Sequence, residues 1–335
     1  MKRIIWSLAV LIVLSGVAYW IYTEKGSTNT IQGELTDFSV KDTAAIDRIF
    51  MADDQGNTIL LERGEEDWIL NEKYKARPDG IRILLETIHK VRVKSPVSQP
   101  AMENVLKDIM GNHTKIEIYQ GGSQPVKTYF VGSANQLHTG THMLIDGSSR
   151  PFITHIEGFH GFLTTRYFTN ENEWRDREVF AYQYGDIKSV SINYLDTPEN
   201  NFKIVDKGDH ETFDFFAGPN LEPVQAVNDV AVKGYLANYK LIHFEGFEET
   251  KPMSFIDSVM SNVPMFELEL EQWDGETREV IGYRKPLKEG YDPEGNPIDY
   301  DLDRLYLYID GEQFVVGQYT IFDQLTFRSR DFISG

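Results

Sequence analysis

Met143-Leu144-Ile145-Asp146-Gly147 and Leu307-Tyr308-Ile309-Asp310-Gly311 carry one pattern twice: an apolar triplet running into Asp-Gly, as a strand does on entering a tight turn. A second correspondence closes each half, Arg175-Asp176-Arg177-Glu178-Val179-Phe180 against Arg328-Ser329-Arg330-Asp331-Phe332-Ile333. The order of elements around these anchors repeats as well. In the first half, strands are expected over residues 46–51 and 58–63, around the turn cluster Asp53-Asp54-Gln55-Gly56-Asn57, and over 68–71. Pro78 opens a helix with Ile81, Leu84, Leu85, Ile88 and Val91 at helical spacing. A second helix carries Met102, Val105, Leu106, Ile109 and Met110 and stops at Gly111-Asn112. Strands over 115–120, 127–131, 142–146 and 152–156 follow, then a short helix near 159–167.

The second half answers with strands over 187–194 and 202–206, helices over 227–241 and 255–260, and strands over 266–273, 280–283, 305–309 and 313–316. Residues 285–303 are an insertion where the first half has only 133–141. The fold class expected is therefore α+β: two tandem, duplicated domains, 37–181 and 182–335, with mostly antiparallel sheets. Each domain buries one sheet face under its helices. The length of 335 residues suits two domains at roughly 100–200 residues each.

Ahead of the repeats, Lys2-Arg3 precedes an uncharged run from Ile4 to Tyr22. Nineteen residues of helix span roughly 28 Å, the thickness of the bilayer hydrocarbon. A cleaved signal peptide is the rival reading, with Gly16-Val17-Ala18 as its small residues. Tyr19-Trp20-Ile21-Tyr22 favours a retained anchor over 1–23, because aromatic rings suit the membrane–water interface. Residues 24–36 read as a flexible tether. Basic residues before the span and an acidic body after it place the N-terminus in the cytoplasm and the body outside the cytoplasmic membrane, a single-pass arrangement (periplasmic in a Gram-negative cell).

The chain has 33 basic and 52 acidic residues and a formal charge of −19, with every acidic residue after position 22. Such a body repels nucleic-acid phosphate and anionic lipid. The absence of cysteine excludes disulfides, thiolate metal sites, a cysteine nucleophile and a lipoprotein anchor.

The hairpin and helix of residues 46–91, Trp68-Ile69-Leu70-Asn71, the stretch from Gly158 to Phe162, the segment from Trp174 to Phe180 and the anchor together resemble a bacterial family of membrane-anchored proteins built on a domain of unknown function. Some members of that family are linked to auxiliary components of ABC-type transport systems related to gliding motility. The resemblance implies an envelope protein and carries no catalytic residues with it.

Candidate chemistry is sparse. His138, His142, His155 and His160 cluster in sequence, and imidazoles suit zinc or copper, but their spacing fixes no two rings on one face. Asp292, Glu294, Asn296, Asp299, Asp301 and Asp303 place oxygens at alternate positions, as a calcium loop does, without its closing glutamate. Asp299, Asp301 and Asp303 are expected to share one strand face. Arg175, Arg177, Arg328 and Arg330 either grip anionic partners or clamp nearby carboxylates and carbonyls, while the apolar pair after each motif docks on the core. No glycine-rich phosphate loop or serine-nucleophile motif is present. The expectation is a membrane-tethered extracytoplasmic interaction or scaffold protein, without cofactor, docking with envelope or ABC-type transporter subunits. The alternative is an envelope hydrolase or a glycan- or peptide-binding protein.

Overall fold

The computed structural model describes residues 36–225 and 227–333. The anchor over 1–23 and nearly all of the tether lie outside them, and no helix among the described residues is long and apolar enough to cross a membrane. The chain divides into two compact units between Asp176 and Arg177. The sequence reading set the boundary after Ala181. Glu178–Phe180 pairs forward with Ile242–His243, which draws it into the second unit.

In the first unit, β1 (Arg48–Asp53) and β2 (Thr58–Arg63) form a hairpin followed by β3 (Trp68–Leu70) and β4 (Tyr74–Lys75). Then come α1 (Pro78–Lys90), β5 (Val91–Pro96), α2 (Gln99–Gly111), β6 (Thr114–Tyr119), β7 (Lys127–Ala134), β8 (Thr141–Ile145), β9 (Phe152–Ile156) and the one-turn α3 (Glu171–Trp174). The strands make one sheet in the order β4-β3-β2-β1-β6-β7-β8-β9-β5, every neighbour antiparallel. Laid flat, nine strands would measure about 38 Å from edge to edge. Yet α1, with 13 residues and a length of about 20 Å, joins one edge strand to the other. The sheet must therefore curl around α1, whose Ile81, Leu84 and Ile88 meet Ile49, Met51, Ile116, Ile118 and Tyr129 in the core.

The helices do not share one face. Alternate residues of β7, β8 and β9, namely Phe130, Leu144 and Ile153, point away from that core and are covered by Val105 and Ile109 of α2. The stripe on α2 is narrow: Met110 is 78% exposed. The short helix expected near 159–167 shrinks to one turn at Thr164–Arg166, because Gly158 and Gly161 hold φ of 78° and 142°, outside the range helices tolerate.

The second unit begins with β10 (Glu178–Phe180) and continues through β11 (Ile187–Asn193), β12 (Phe202–Asp206), β13 (Phe213–Ala217), β14 (Glu222–Pro223) and α4 (Asp229–Leu236). After β15 (Ile242–His243) come β16 (Gly246–Phe247), α5 (Met253–Met260), β17 (Phe266–Gln272), β18 (Thr277–Pro286), β19 (Tyr300–Ile309), β20 (Gln313–Gln318) and α6 (Tyr319–Phe322). Its large sheet runs β14-β13-β12-β11-β17-β18-β19-β20-β16, the same order as the first. Here too one helix lies on each face: Val232, Tyr235 and Leu236 of α4 pack on the main core, Val259 of α5 on Tyr283, Tyr306 and Phe314.

Each unit closes in the same way. Ala76 bridges Arg175, and Arg77 N donates to Trp174 O at 2.8 Å. Val227 bridges Ile333, and Asn228 N donates to Phe332 O at 2.9 Å. Trp174 therefore stands where Phe332 stands, and the two Arg-x-Arg motifs are not equivalent positions. Val179 and Phe180 belong to the second unit's core, where Phe180 packs on Tyr182 and Tyr239.

Candidate functional site

The residues of α1 that avoid the core fall at helical spacing too. Pro78, Arg82, Leu85, Glu86 and His89 form a second stripe beside the buried one and make one wall of a groove of about 480 Å³. Trp68, Ala76 and Thr43 make the opposite wall, and Glu66 and Asp67 stand at its rim. Leu85, expected in the core, is only partly buried here. Trp68 is fixed from behind: the Arg63 guanidinium lies 4.6 Å from the ring centroid and donates to Ile46 O at 2.7 Å and Thr43 O at 3.1 Å. Lys75 pairs with Asp67 at 3.2 Å. Lys90 donates to Glu86 at 2.7 Å, and this hydrogen bond holds the Glu86 carboxyl below its ordinary value. An apolar floor under a rim of both signs is suited to one greasy side chain of a partner segment with charged neighbours.

A smaller groove of about 270 Å³ occupies the corresponding place in the second unit. Phe213 opens β13 as Trp68 opens β3, Val227 stands where Ala76 does, and Asp229 begins α4 as Pro78 begins α1. There the Lys207–Asp214 pair, 3.0 Å apart, makes the lining polar. Sequence reasoning named neither groove, since each is built from a strand start, a bridge residue and the start of a helix far apart in the chain, joined in the first unit by the exposed stripe of α1.

The four histidines are dispersed. His138 sits in a turn with φ of 53°, its ring 5.7 Å from Phe162. His142 on β8 and His155 on β9 lie on the α2 side of the sheet, His155 opposite Arg92, and His160 is an exposed loop residue. Among the described residues no group of three or more histidine and acidic side chains is arranged to hold a metal. The Nδ1 of His142 is buried without a hydrogen-bond partner, and burial keeps the ring below 6.5 against the upward pull of Asp108.

Arg175 is buried, donating to Asn172 Oδ1 at 3.0 Å with its guanidinium 4.1 Å from the Tyr74 ring centroid. Arg177 donates to Glu245 O at 2.7 Å. Arg328 and Arg330 are exposed. The acidic stretch is a turn and a strand instead of an open cage. Asp292 accepts both the backbone and side-chain N–H groups of Asn296, at 2.7 and 2.8 Å. Asp301 is half-buried, pairing with Lys285 at 2.8 Å and accepting the N–H groups of Asp303 and Arg304, whereas Asp299 and Asp303 are exposed.

A third cavity, about 180 Å³, is lined by Tyr194, Tyr319, Asp323 and Arg328. Burial pushes the Asp323 carboxyl above its ordinary value. A glycosidase-type mechanism needs two such carboxylates, and this lining supplies one. Comparison with protein-family models, curated proteins and solved structures finds no match to this chain.

Proposed function

We propose that the chain is a membrane-tethered docking module. In this reading residues 1–23 anchor it in the cytoplasmic membrane with the N-terminus inside, and 24–36 form the tether. Two α+β units of common descent stand on the extracytoplasmic side as an accessory subunit of an envelope complex. The observation that carries the docking is the groove along α1 with its apolar floor of Trp68, Ile81 and Leu85; the groove at the matching place of the second unit has a polar lining instead. Common descent is supported by the identical strand order and the matching closures at Ala76 and Val227. An ABC-type transporter as the host complex rests on the sequence resemblance alone.

Burying one leucine- or phenylalanine-sized side chain in the groove contributes about 1.5–3 kcal/mol. The rim of Glu66, Asp67, Arg82 and Glu86 then selects among flanking charges. The test is affinity purification of the anchored chain from detergent-solubilised native membranes. Leu85→Lys should lower recovery of transporter subunits about tenfold, whereas Val126→Lys, on an exposed residue outside the groove, should leave it unchanged. Equal recovery with both variants rejects the groove as the docking site.

A further inference from the structure

β18 and β19 run on past the sheet as a two-stranded ribbon. Pro286 pairs with Tyr300, Leu287 N donates to Asp299 O at 2.8 Å, Ile298 N to Gly290 O at 2.9 Å, and Asp292 N to Asn296 O at 2.9 Å. None of residues 284–304 is buried, so the ribbon contributes little to the core. Its shape is nevertheless fixed at both ends. The tip is tied by the Asp292–Asn296 hydrogen bonds, and Gly290 fits between Leu287 and Ile298, where a Cβ would come within 2.5 Å of Leu287. At the root, between the rungs Arg284–Leu305 and Pro286–Tyr300, one residue of β18 faces four of β19, and Asp301 pins that bulge through Lys285. Arg304 extends the brace to Glu245 at 2.7 Å.

On this rigid ribbon Tyr291, Leu302 and Tyr300 are 70%, 56% and 43% exposed. Among the described residues no cation comes within ion-pair distance of Glu289, Glu294, Asp299 or Asp303. We infer that the ribbon of residues 284–304 is a docking arm for a protein surface that presents lysine and arginine beside an apolar pocket. The inference rests on the docking reading above but uses a different surface. Braced apolar and aromatic side chains at low ordering cost are what binding hot spots are made of. The charges choose the occupant. The ribbon carries six carboxylates against Arg284, Lys285, Lys288 and Arg304, and in a chain of net charge −19 this balance disfavours anionic lipid, nucleic acid and a second copy. A basic partner gains ion pairs with the four carboxylates and guanidinium–ring contacts with the tyrosines, as Arg284 already makes to Tyr300 at 5.7 Å.

The test places a photo-crosslinking side chain, Tyr291→p-benzoylphenylalanine or Leu302→p-benzoylphenylalanine, in the anchored full-length chain within native membranes. The expected result is an adduct with another protein whose crosslinked peptide is rich in lysine and arginine. Its yield should fall about tenfold when Glu289→Gln, Glu294→Gln, Asp299→Asn and Asp303→Asn are combined, with the circular dichroism spectrum unchanged. An adduct with lipid or with a second copy, no adduct, or a yield indifferent to the neutralised charges overturns the inference. Leu85→Lys, which leaves the arm intact, should retain the adduct, so failure of the groove and failure of the arm are read separately.

Discussion

His142 illustrates how one side chain sets a pH response. Its Nδ1 has no partner beneath α2, and burial keeps the folded imidazole below 6.5 although Asp108 favours its protonation. In the unfolded chain the ring titrates at its ordinary value, so just below 6.5 the unfolded state binds more protons. Its contribution to stability is complete above that value and is lost as pH falls toward the depressed folded value. The urea midpoint should drop between about pH 7 and about pH 5, and His142→Gln should make that drop smaller; an identical slope in the variant refutes the assignment. At Asp301 the pH dependence has the same sign but the balance of causes is reversed. Burial works against its charge, yet Lys285 and two backbone N–H groups outweigh burial and hold the carboxyl below its ordinary value. Asp301→Asn keeps the shape and removes the charge, so it should cost about 1 kcal/mol locally and speed amide exchange at Asp303 and Arg304 about fivefold. Neither role was legible in the sequence, where His142 looked like one of four similar histidines and Asp301 like one of three similar aspartates. Burial separates them, and burial depends on what packs across.

At the scale of elements, α1 shows which part of a pattern can be read. Its 3.6-residue period located the helix and named Ile81, Leu84 and Ile88, all buried. The same period placed Leu85 among them, whereas it faces the groove, because a helix packed inside a curled sheet still has a side turned to the sheet's edge. Leu84→Ala should cost the first unit about 2–5 kcal/mol, and Leu85→Ala under about 1 kcal/mol, measured by chemical denaturation; equal costs would place both in one core. Hairpins were legible because their pairing is local. The pairings β1 with β6 and β5 with β9 join strands brought together only by the helices between them, and no local signal gives them. The period of α1 also carried the helix on to Val91, which instead opens the edge strand β5. The Arg-x-Arg correspondence misled because short charged motifs recur by chance, while the true closure is a hydrogen bond from a helix start to Trp174 or Phe332.

For the whole molecule, the distribution of charge supplies the remaining argument. Lys2 and Arg3 stand before the apolar run, and all 52 acidic residues stand after it. In the proposed reading, the basic residues beside the apolar run would set the orientation, and the acidic residues would contribute little. If residues 1–23 stay in the bilayer, the full chain should remain in the membrane pellet through an alkaline carbonate wash, and its body should be open to protease added from outside the cytoplasmic membrane. Lys2→Glu with Arg3→Glu should reduce that protease access severalfold, because it removes the positive charges that hold the N-terminus inside. A mature chain starting near Tyr19 and recovered in the wash would mean the segment is a cleaved leader. Docking would then proceed from solution, without the gain in effective concentration that a tether of about a dozen residues gives two surfaces facing one complex.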